Sequence, residues 1–441
     1  MMVSRNLLDW PGMPHWDSQT ILEGCLAEIA RPDAQGDLVF RKVHAAAARS
    51  EAMCAGSVSR SRPLAGLPVS VKDLFDVTGD VTCAGSRVLT DAKPANQDAV
   101  AVARLRRAGA IIVGRTAMTE FAYSGLGLNP HYGTPGNFYD RSRIPGGSSA
   151  GAGIAVRAGM CLASLATDTN GSIRIPAAFS GTVGFRPTGY RIPRQGLVPL
   201  SPTQDSVGPI ARTVAQCAAI DSVLSGQMDD YPQHRAPEGL VLGVPSGFLQ
   251  DDLDSSVSEA FASCLSKLSI AGASIRTTEI HSLELAKQIG PGGITGPEAL
   301  RWHRAILSDR GHMYDPRVLA RLNGAHMVDD VTLNSRLEAR LAAIRQFSAE
   351  ASRFDAILCP TVAIIPPYFR EVQDDDSFFR LNALVLRNTS AFSVVDAPSI
   401  TLPMQLVDAL PVGIMVSSVV GRDRRLLSVA ATIERIIASN E

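Results

Sequence analysis

Residues 145–176 read PGGSSAGAGIAVRAGMCLASLATDTNGSIRIP. Two serines in this stretch stand beside glycines, Ser148 after Gly147 and Ser172 after Gly171, and a helical pattern followed by a strand-like LASLATD separates them. Glycine allows the backbone to turn sharply and lets another group approach the peptide N–H groups closely. The stretch therefore predicts two serine-bearing turns, one at each end of a helix–strand unit.

The second turn has the features of an anion-binding site. If Ser172 starts a helix, the N–H groups of residues 169–172 point outward without helical partners and can hold a negative oxygen. Donors of this kind stabilise the oxyanion of an acyl intermediate. The same residues are also typical of a plain N-cap serine after a turn glycine, so the turn alone leaves both interpretations open.

A serine hydroxyl becomes a strong nucleophile only when a neighbouring group accepts its proton. The eight histidines are scattered singly along the chain, and none lies in a glycine-flanked motif. Lys72, within GLPVSVKDLFD at 66–76, ends an apolar strand-like segment, where burial would lower its pKa and leave the amine neutral. Lys72 is therefore the candidate base. The alternative is a lysine whose charged end extends past the strand into solvent beside Asp73.

The segments around these turns alternate between strand and helix patterns. Residues 67–71 and 110–114 have the apolar character of buried strands, and 98–108 has helical spacing. Because such alternation builds βαβ units, we predict an α/β fold, a single domain with a mixed, mostly parallel β-sheet surrounded by α-helices. Helical spacing at 19–31 and 38–53 predicts an N-terminal helical layer.

The C-terminal half continues this alternation. The patterns predict strands at 240–244, 274–277, 355–359, 398–402 and 411–417, and helices at 255–271, 332–353 and 423–438. The polar segment 226–238 contains prolines and is the best candidate for a connection between two portions of the chain. We therefore expect one domain over 1–441, with a helical layer over about 1–60, a core over about 61–225 and a C-terminal portion, on the substrate side, over about 239–441.

The composition excludes several classes of protein. The 441 residues include 42 Lys+Arg and 43 Asp+Glu, a formal charge of −1 without a basic run, which removes the simplest case for nucleic-acid binding. Hydrophobic residues make up 45%, enough for a large core. No apolar run suits a membrane span, and the first twenty residues lack the apolar core of a secretion signal, so we expect a cytoplasmic protein. Seven scattered cysteines without a CxxC pair predict buried thiols rather than disulfides or a zinc site.

Three motifs, in this order along the chain, resemble those of the amidase signature family of serine hydrolases: GLPVSVKDLFDVTG, RIPGGSSAGAGIAVRAG and TDTNGSIRIPAAFSGTVGFRPT. The similarity continues through AGAIIVGRTAMTEFA and SPTQDSVGPIART to DAPSITLPMQ and LPVGIMVSS, so it covers nearly the whole chain. The resemblance implies a Ser–Ser–Lys triad with Lys72 as base, Ser148 as bridging serine and Ser172 as nucleophile. It also implies a cis peptide bond between Gly147 and Ser148, and it implies no metal or organic cofactor.

The resemblance and the residues themselves suggest further roles. The backbone N–H groups expected to form the oxyanion hole belong to Thr169, Asn170, Gly171 and Ser172. Supporting roles are expected for Ser149 as a hydrogen-bonding group near the triad, for Asp168 and Asp205 as organisers of loops, for Arg174 as a structural ion-pair partner, and for Tyr123 at the substrate mouth. The sequence departs from the family at Ala150 and Asn170, where glycine is usual. Asparagine tolerates a positive φ better than other non-glycine residues, so we expect the turn to survive.

The family implies hydrolysis of the C–N bond of a small carboxamide or ureido-type substrate to a carboxylate plus ammonia or an amine, through an acyl-enzyme on Ser172. The expected partner is this small amide substrate, with no nucleic acid and no membrane, and the sequence is compatible with a homodimer. We expect substrate choice to depend on residues 283–330 and 361–392, which the shared motifs do not reach.

Three other interpretations use the same residues. The segment from Gly147 to Gly151 matches the G-x-S-x-G nucleophile elbow of α/β-hydrolases, with Ser149 attacking, but an elbow follows a buried strand and the preceding NFYDRSRIP is polar. The glutamine-hydrolysing component of the tRNA-dependent amidotransferase also resembles this chain, although that component usually carries glutamine where Ile175 stands. A non-catalytic binding protein on this scaffold is the third, and it is disfavoured because all three triad residue types are present.

Overall fold

The computed structural model describes residues 17–55, 62–227, 234–290, 292–404 and 410–438. Within them the helices are α1 Ser18–Ala30, α2 Gly36–Val39, α3 Ala45–Ala55, α4 Val100–Arg107, α5 Ala150–Ala158, α6 Arg174–Ser180, α7 Val214–Ser225, α8 Ser255–Ile270, α9 His281–Ile289, α10 Thr295–Arg310, α11 Pro316–Gly324, α12 Asp330–Ala351, α13 Asp375–Val394 and α14 Asp423–Ala438. The strands are β1 Phe40–Val43, β2 Pro68–Lys72, β3 Ile111–Thr116, β4 Ala163–Asp168, β5 Val183–Arg186, β6 Ser206–Ala211, β7 Val241–Pro245, β8 Ser274–Thr278, β9 Ala356–Pro360, β10 Ser399–Met404 and β11 Val412–Ser417.

These strands form one 11-stranded sheet in the order β1-β3-β2-β4-β6-β5-β10-β11-β9-β7-β8. Strand β2 is parallel to both its neighbours, β3 and β4, and β7 is parallel to both β9 and β8. The other six pairings are antiparallel. The prediction of an α/β fold with a mixed sheet and surrounding helices is confirmed, but the prediction that the sheet is mostly parallel is wrong.

The error comes from two strands at the centre of the sheet. Strands β5 and β6 pair antiparallel with each other and with their outer neighbours β10 and β4. Neither was predicted, because β5 is only four residues long and the sequence of β6, SVGPIA, contains Gly208 and Pro209, residues that are unfavourable in a central strand. A pattern that misses these strands sees only strand–helix–strand alternation, which favours parallel pairing.

The N-terminal layer also differs from the prediction in one place. Helix α1 corresponds to the helix predicted at 19–31, and the Asp17 carboxylate caps it by accepting hydrogen bonds from Gln19 N and Thr20 N. The helix predicted at 38–53 is wrong in its first part, because residues 40–43 form β1, which pairs with β3 at the edge of the sheet. A four-residue strand is too short to show its alternation within a run of helical spacing.

The other predicted elements are found within a few residues of the predicted bounds. The strands predicted at 67–71, 110–114, 240–244, 274–277, 355–359, 398–402 and 411–417 are β2, β3, β7, β8, β9, β10 and β11, and the helices predicted at 98–108, 255–271, 332–353 and 423–438 are α4, α8, α12 and α14. The candidate connection at 226–238 includes residues 228–233, which lie outside the described residues, and the division of the chain into three portions stays a prediction.

Helices cover both faces of the sheet. Successive strand residues point to opposite faces, and along β4 Leu165 joins the largest apolar cluster while Ala166 joins a different cluster under α5. Along β11, Ile414 and Val416 join the largest cluster, whereas Met415 joins a third. The strands that carry the serine–lysine region are therefore buried on both sides, which holds their ends in fixed positions.

Two composition-based expectations can be compared with the structure. The seven cysteines are free, as predicted, but Cys54 is exposed and Cys83 is half-buried, so not all of them are core thiols. Within the described ranges, no helix combines the length and the apolar character that a bilayer crossing requires.

Candidate active site

Lys72 is the last residue of β2 and is completely buried. Its Nζ donates a hydrogen bond to Ser148 Oγ at 2.7 Å and another to Thr167 Oγ1 on the neighbouring strand β4 at 3.1 Å. The alternative in which the lysine extends into solvent is therefore wrong. The structure brings together two of the three residues predicted to form the triad.

The environment of Lys72 favours the neutral amine. Burial lowers its pKa to about 7, although the negative charges of Asp168 and Asp205 act in the opposite direction. A lysine with this pKa is largely uncharged just above neutral pH. It can then accept a proton, which an ordinary surface lysine cannot do.

Ser148 lies in the loop that leads into α5, and its hydroxyl is buried. The Gly147–Ser148 peptide bond is cis, as the resemblance implied. There is no space for a side chain at Gly147, since an added Cβ would lie 2.6 Å from Gly127 N. Thr119 N donates to the Ser148 carbonyl at 3.0 Å. The segment around residues 119–127 thus packs directly on the serine loop and fixes its path.

The neighbouring Ser149 does not have the role predicted for it. Its hydroxyl is buried and makes no hydrogen bond to any residue that the structure describes, so the expected supporting hydrogen bond is not found. The polar segment directly before Gly147 also forms no strand in the described chain. A nucleophile elbow at Ser149 therefore lacks the strand it requires.

Ser172 lies in the turn between β4 and α6 and is 5% exposed. Gly171 has a φ of 137°, a conformation that favours glycine, and an added Cβ would lie 2.3 Å from Thr389 Oγ1. Helices α5 and α6 pack against each other, so the serine loop before α5 and the turn before α6 belong to one packed unit. Among the hydrogen bonds of the described residues, Lys72 to Ser148 is the one that joins triad members directly.

The Asp168 carboxylate organises this turn from inside, as expected for it. One oxygen accepts from Gly171 N at 2.7 Å, and the other accepts from Ile173 N at 3.1 Å and from Arg174 N at 3.3 Å. The Arg174 guanidinium donates to both oxygens, at 2.8 and 3.0 Å, and is itself completely buried. Burial alone would raise the pKa of Asp168, but the charges of Arg174 and Arg186 outweigh that effect and lower it.

These contacts also bear on the four predicted oxyanion donors. The Gly171 N–H already donates to Asp168, so its share in an oxyanion hole is the weakest of the four. The Thr169 side chain donates to Asp205 Oδ1 at 2.5 Å, and Asp205 also accepts from Leu200 N and Ser201 N. Asp205 thus organises the adjoining loop, which is the role expected from the sequence.

Asn170 differs from the expectation. The positive φ of the turn belongs to Gly171, so the tolerance of asparagine for that conformation is not used. Its Nδ2 donates instead to Thr295 Oγ1 at 3.0 Å, and Thr295 donates to Gln204 Oε1 at 2.9 Å. The substitution of the usual glycine therefore adds a side-chain contact between the turn and the start of α10.

Helix α13 contributes residues to this region that no sequence motif indicated. The Thr389 hydroxyl donates to the Asn170 carbonyl at 2.6 Å, and the Ser393 hydroxyl accepts from the Arg174 guanidinium at 2.7 Å. Both residues are completely buried. Residue 389 is 217 positions after Ser172 in the chain, so only the folded structure reveals this support.

A cavity of about 420 Å³ lies beside the serine loop. Tyr123, predicted at the substrate mouth, lines it, as do Thr119 and Ser124 from the segment that packs on residues 146–148. Lys72, Ser148 and Ser172 are not among its lining residues, so the cavity adjoins the triad region rather than containing it. The opposite wall comes from 315–321 and 369–378, which lie in the two stretches expected to determine substrate choice.

The described residues contain no group of three or more histidine, cysteine, aspartate or glutamate side chains arranged to hold a metal ion. The chemistry that the site offers from its own residues is proton transfer by an amine and nucleophilic attack by a hydroxyl.

Comparison with known proteins gives consistent similarities. The sequence profile of the family described as Amidase matches residues 21–427. The chain is 35% identical to the 2-amino-5-chloromuconic acid deaminase of Comamonas testosteroni over 85% of this chain and 82% of the relative. It is 34% identical to the mandelamide hydrolase of Pseudomonas putida over 85% and 79%.

Two further similarities concern a different activity and the fold. The chain is 36% identical to one component, the A chain, of the Glutamyl-tRNA(Gln) amidotransferase of Maridesulfovibrio salexigens, over 60% of this chain and 58% of that component. A crystal structure described as an amidase superimposes with a TM-score of 0.87 at 30% identity, covering 96% of this chain and 97% of that one.

Proposed function

Since the chain belongs to the amidase signature family and is a hydrolase of carbon–nitrogen bonds, we propose that it hydrolyses a small carboxamide or ureido-type substrate to a carboxylate plus ammonia or an amine. The reaction proceeds through an acyl-enzyme on Ser172. The observation that supports this most strongly is the buried Lys72 amine, with a pKa lowered to about 7, donating to Ser148 Oγ at 2.7 Å.

In the first half of the proposed reaction, Ser172 Oγ attacks the amide carbonyl carbon. Its proton passes to Ser148, and the Ser148 proton passes to the neutral Lys72 amine, which becomes an ammonium ion. The C–N bond then breaks. The same relay, run in reverse, protonates the leaving nitrogen, so ammonia or an amine departs and Lys72 is neutral again.

In the second half, water attacks the ester carbon of the acyl-enzyme. The relay removes a proton from this water and returns one to Ser172 Oγ as the ester bond breaks, which releases the carboxylic acid. Each half passes through a tetrahedral intermediate with a negative oxygen. Backbone N–H groups of residues 169–172 hold that oxygen in our proposal, with the smallest share from Gly171, whose N–H already donates to Asp168.

The test is ammonia release from a panel of primary amides, ureido compounds and glutamine, with Ser172→Ala as control. We expect turnover of at least one small amide and its loss in the control. Lys72→Ala is expected to lower the rate by about 10²- to 10⁴-fold, the usual cost of removing a general base. Activity that persists in Ser172→Ala would remove the assigned nucleophile, and a Lys72→Ala variant with more than about a tenth of the normal rate would remove the assigned base.

Hydrolysis of glutamine for a second protein is the alternative, and the similarity to the amidotransferase component is the observation in its favour. Two observations favour the stand-alone enzyme. The matches to the deaminase and the mandelamide hydrolase extend over more of the chain, and Ile175 occupies the place where the amidotransferase component usually has glutamine. Glutamine as the one good substrate of the panel would reverse this choice.

A further inference from the structure

The cavity beside the serine loop has walls of two kinds. Apolar side chains cover much of it, from Leu128, Pro130, Val318, Phe369 and Phe378. Charged side chains from α11 and α13 cover the rest, namely Asp315, Arg317, Arg321 and Asp375. An apolar cavity of about 420 Å³ with a few charged groups at one side has the size and lining typical of a small-molecule site.

Three of these four charged groups already have partners in the protein. Arg317 Nε donates to Asp375 Oδ1 at 2.9 Å, and the same guanidinium donates to the Val372 carbonyl at 3.2 Å. The Asp315 carboxylate caps α11 by accepting from Arg317 N at 2.9 Å, a favourable position for a negative charge. These contacts account for both carboxylates and for one of the two guanidinium groups.

Arg321, one turn further along α11, is different. Its guanidinium stacks on the Tyr123 ring, with Cζ 4.2 Å from the ring centroid, and it donates to the Tyr123 carbonyl. Within the described ranges no carboxylate forms an ion pair with it, and burial lowers the pKa of the guanidinium with only the Tyr123 phenol acting against the shift. The remaining N–H donors line the cavity as an uncompensated positive charge.

The position of Arg321 is fixed from two sides. The stacked Tyr123 belongs to the segment that packs on the serine loop, where Thr119 N donates to the Ser148 carbonyl at 3.0 Å. The start of α11 is held by the buried Glu120, whose Oε2 accepts from Asp315 N at 2.7 Å. A guanidinium held in this way can present its planar fork to a carboxylate and form two parallel hydrogen bonds.

We propose, resting on the amidase function above, that Arg321 binds a carboxylate at the far end of the substrate, and that the substrates are therefore monoamides of dicarboxylic acids. The amide end reaches the serine–lysine region, the apolar walls contact the intervening carbon chain, and Arg321 pairs with the free acid. The hydrolysis product is then a dicarboxylate.

The kinetic test compares matched substrates. Monoamides of succinic, glutaric, adipic and pimelic acid are each paired with the neutral amide of the same chain length, in which a methyl group replaces the carboxylate. For at least one chain length we expect the acid to have a kcat/KM about 10- to 100-fold above its neutral partner, the range for a charge-assisted hydrogen-bonded pair. Arg321→Met removes this preference, mainly by raising KM for the acid, while the neutral amide changes little.

Arg317→Met is the matched control, because it removes a guanidinium from the same helix and the same cavity wall whose charge Asp375 already balances. It should change the acid and its neutral partner by the same factor. Arg321→Lys keeps the charge without the fork and should retain part of the preference. Near-ultraviolet circular dichroism of each variant establishes that it is folded.

A binding measurement separates this inference from the proposed reaction. Calorimetry with the Ser172→Ala protein measures affinity for each monoamide and its neutral partner without turnover, and we expect the acid to bind about 10-fold or more tightly, an advantage lost in Ser172→Ala with Arg321→Met. If no monoamide binds better than its neutral partner, or if the Arg321 substitution leaves the advantage intact, the inference is overturned even where neutral amides are hydrolysed. If acids bind through Arg321 but no amide is hydrolysed, the proposed function fails and the acid site stands.

Discussion

Lys72 illustrates how burial alone can turn a lysine into a base. Its amine is surrounded by protein, has two hydroxyl groups as its hydrogen-bond acceptors and lacks a directly paired carboxylate in the described structure. Desolvation disfavours the ammonium form, while Asp168 and Asp205 limit the shift, and the pKa settles at about 7. A base with this value is available at neutral pH, and it is still strong enough to accept a proton from a hydroxyl relay.

This pKa predicts the pH dependence of the reaction. The protonated amine cannot act as a base, so kcat/KM should be low below about pH 6, rise through a midpoint near 7 and level off above about pH 8. Initial rates of amide hydrolysis across this range give the profile, and a non-titrating buffer mixture at constant ionic strength serves as the control. A rate that falls as the pH rises through 7 would contradict the role of Lys72 as general base.

Asp168 and Arg174 form a fully buried ion pair that also holds the Ser172 turn. Asp168→Asn leaves the Arg174 charge buried without its partner, and breaking such a pair from one side costs about 3–5 kcal/mol. We expect a lower midpoint of urea unfolding together with lost amidase activity. Asp91→Asn is the comparison, since it breaks an exposed pair with Arg310 and should leave the midpoint nearly unchanged. Equal effects of the two substitutions would argue against this assignment.

At the level of elements, α13 connects the two parts of the site. Its first turns supply Asp375 and Phe378 to the cavity wall. In its middle, Asn382 Oδ1 accepts from Gly125 N at 2.8 Å, in the segment that packs on the serine loop. Its last turns carry Thr389 and Ser393 to the Ser172 turn. One rigid helix thus fixes the distance between the cavity and the reacting serine.

Thr389 tests the support that α13 gives to the turn. Thr389→Val keeps the shape but removes the hydroxyl that donates to the Asn170 carbonyl, so the turn loses one buried hydrogen bond. We expect kcat to fall about tenfold with a smaller change in KM, since the turn holds the nucleophile rather than the substrate. Ser390→Ala is the matched control, because the Ser390 hydroxyl bonds to its own helix at the Arg387 carbonyl. Similar kcat values for Thr389→Val and the unchanged protein would show that the hydroxyl does not position the turn.

At the scale of the whole molecule, the sequence predicted the parts of the site that lie in motifs. Lys72 and Ser148 are hydrogen-bonded as the glycine–serine and lysine motifs suggested, and both lie at the ends of elements with strong local patterns. Arg321 and Thr389 carry no motif, because their contribution depends on which distant segments pack together. The antiparallel centre of the sheet was missed for a related reason, since its direction is set by tertiary pairing and not by local pattern.

The sheet also joins the two predicted portions of the chain into one structure. Strand β5, in the first portion, pairs along Gly184–Arg186 with Ser399–Thr401 of β10 in the second. The Ser172 turn depends on hydroxyl groups of α13, also in the second portion. We therefore expect that a fragment ending at residue 227 exposes the edge of β5, lacks the support of the nucleophile turn and does not form an active site.

This expectation can be measured by expressing residues 1–227 and 234–441 separately and together. A fluorophosphonate reports an activated serine, because it reacts with a hydroxyl whose proton a neighbouring base accepts. We expect no labelling of the first fragment alone, labelling at Ser172 in the intact chain, and partial recovery when both fragments are co-expressed, since the β5–β10 pairing can form between chains. Ser172→Ala in the intact chain is the control for specific labelling. Strong labelling of the isolated first fragment would mean that the core at 61–225 assembles the site without its C-terminal partner.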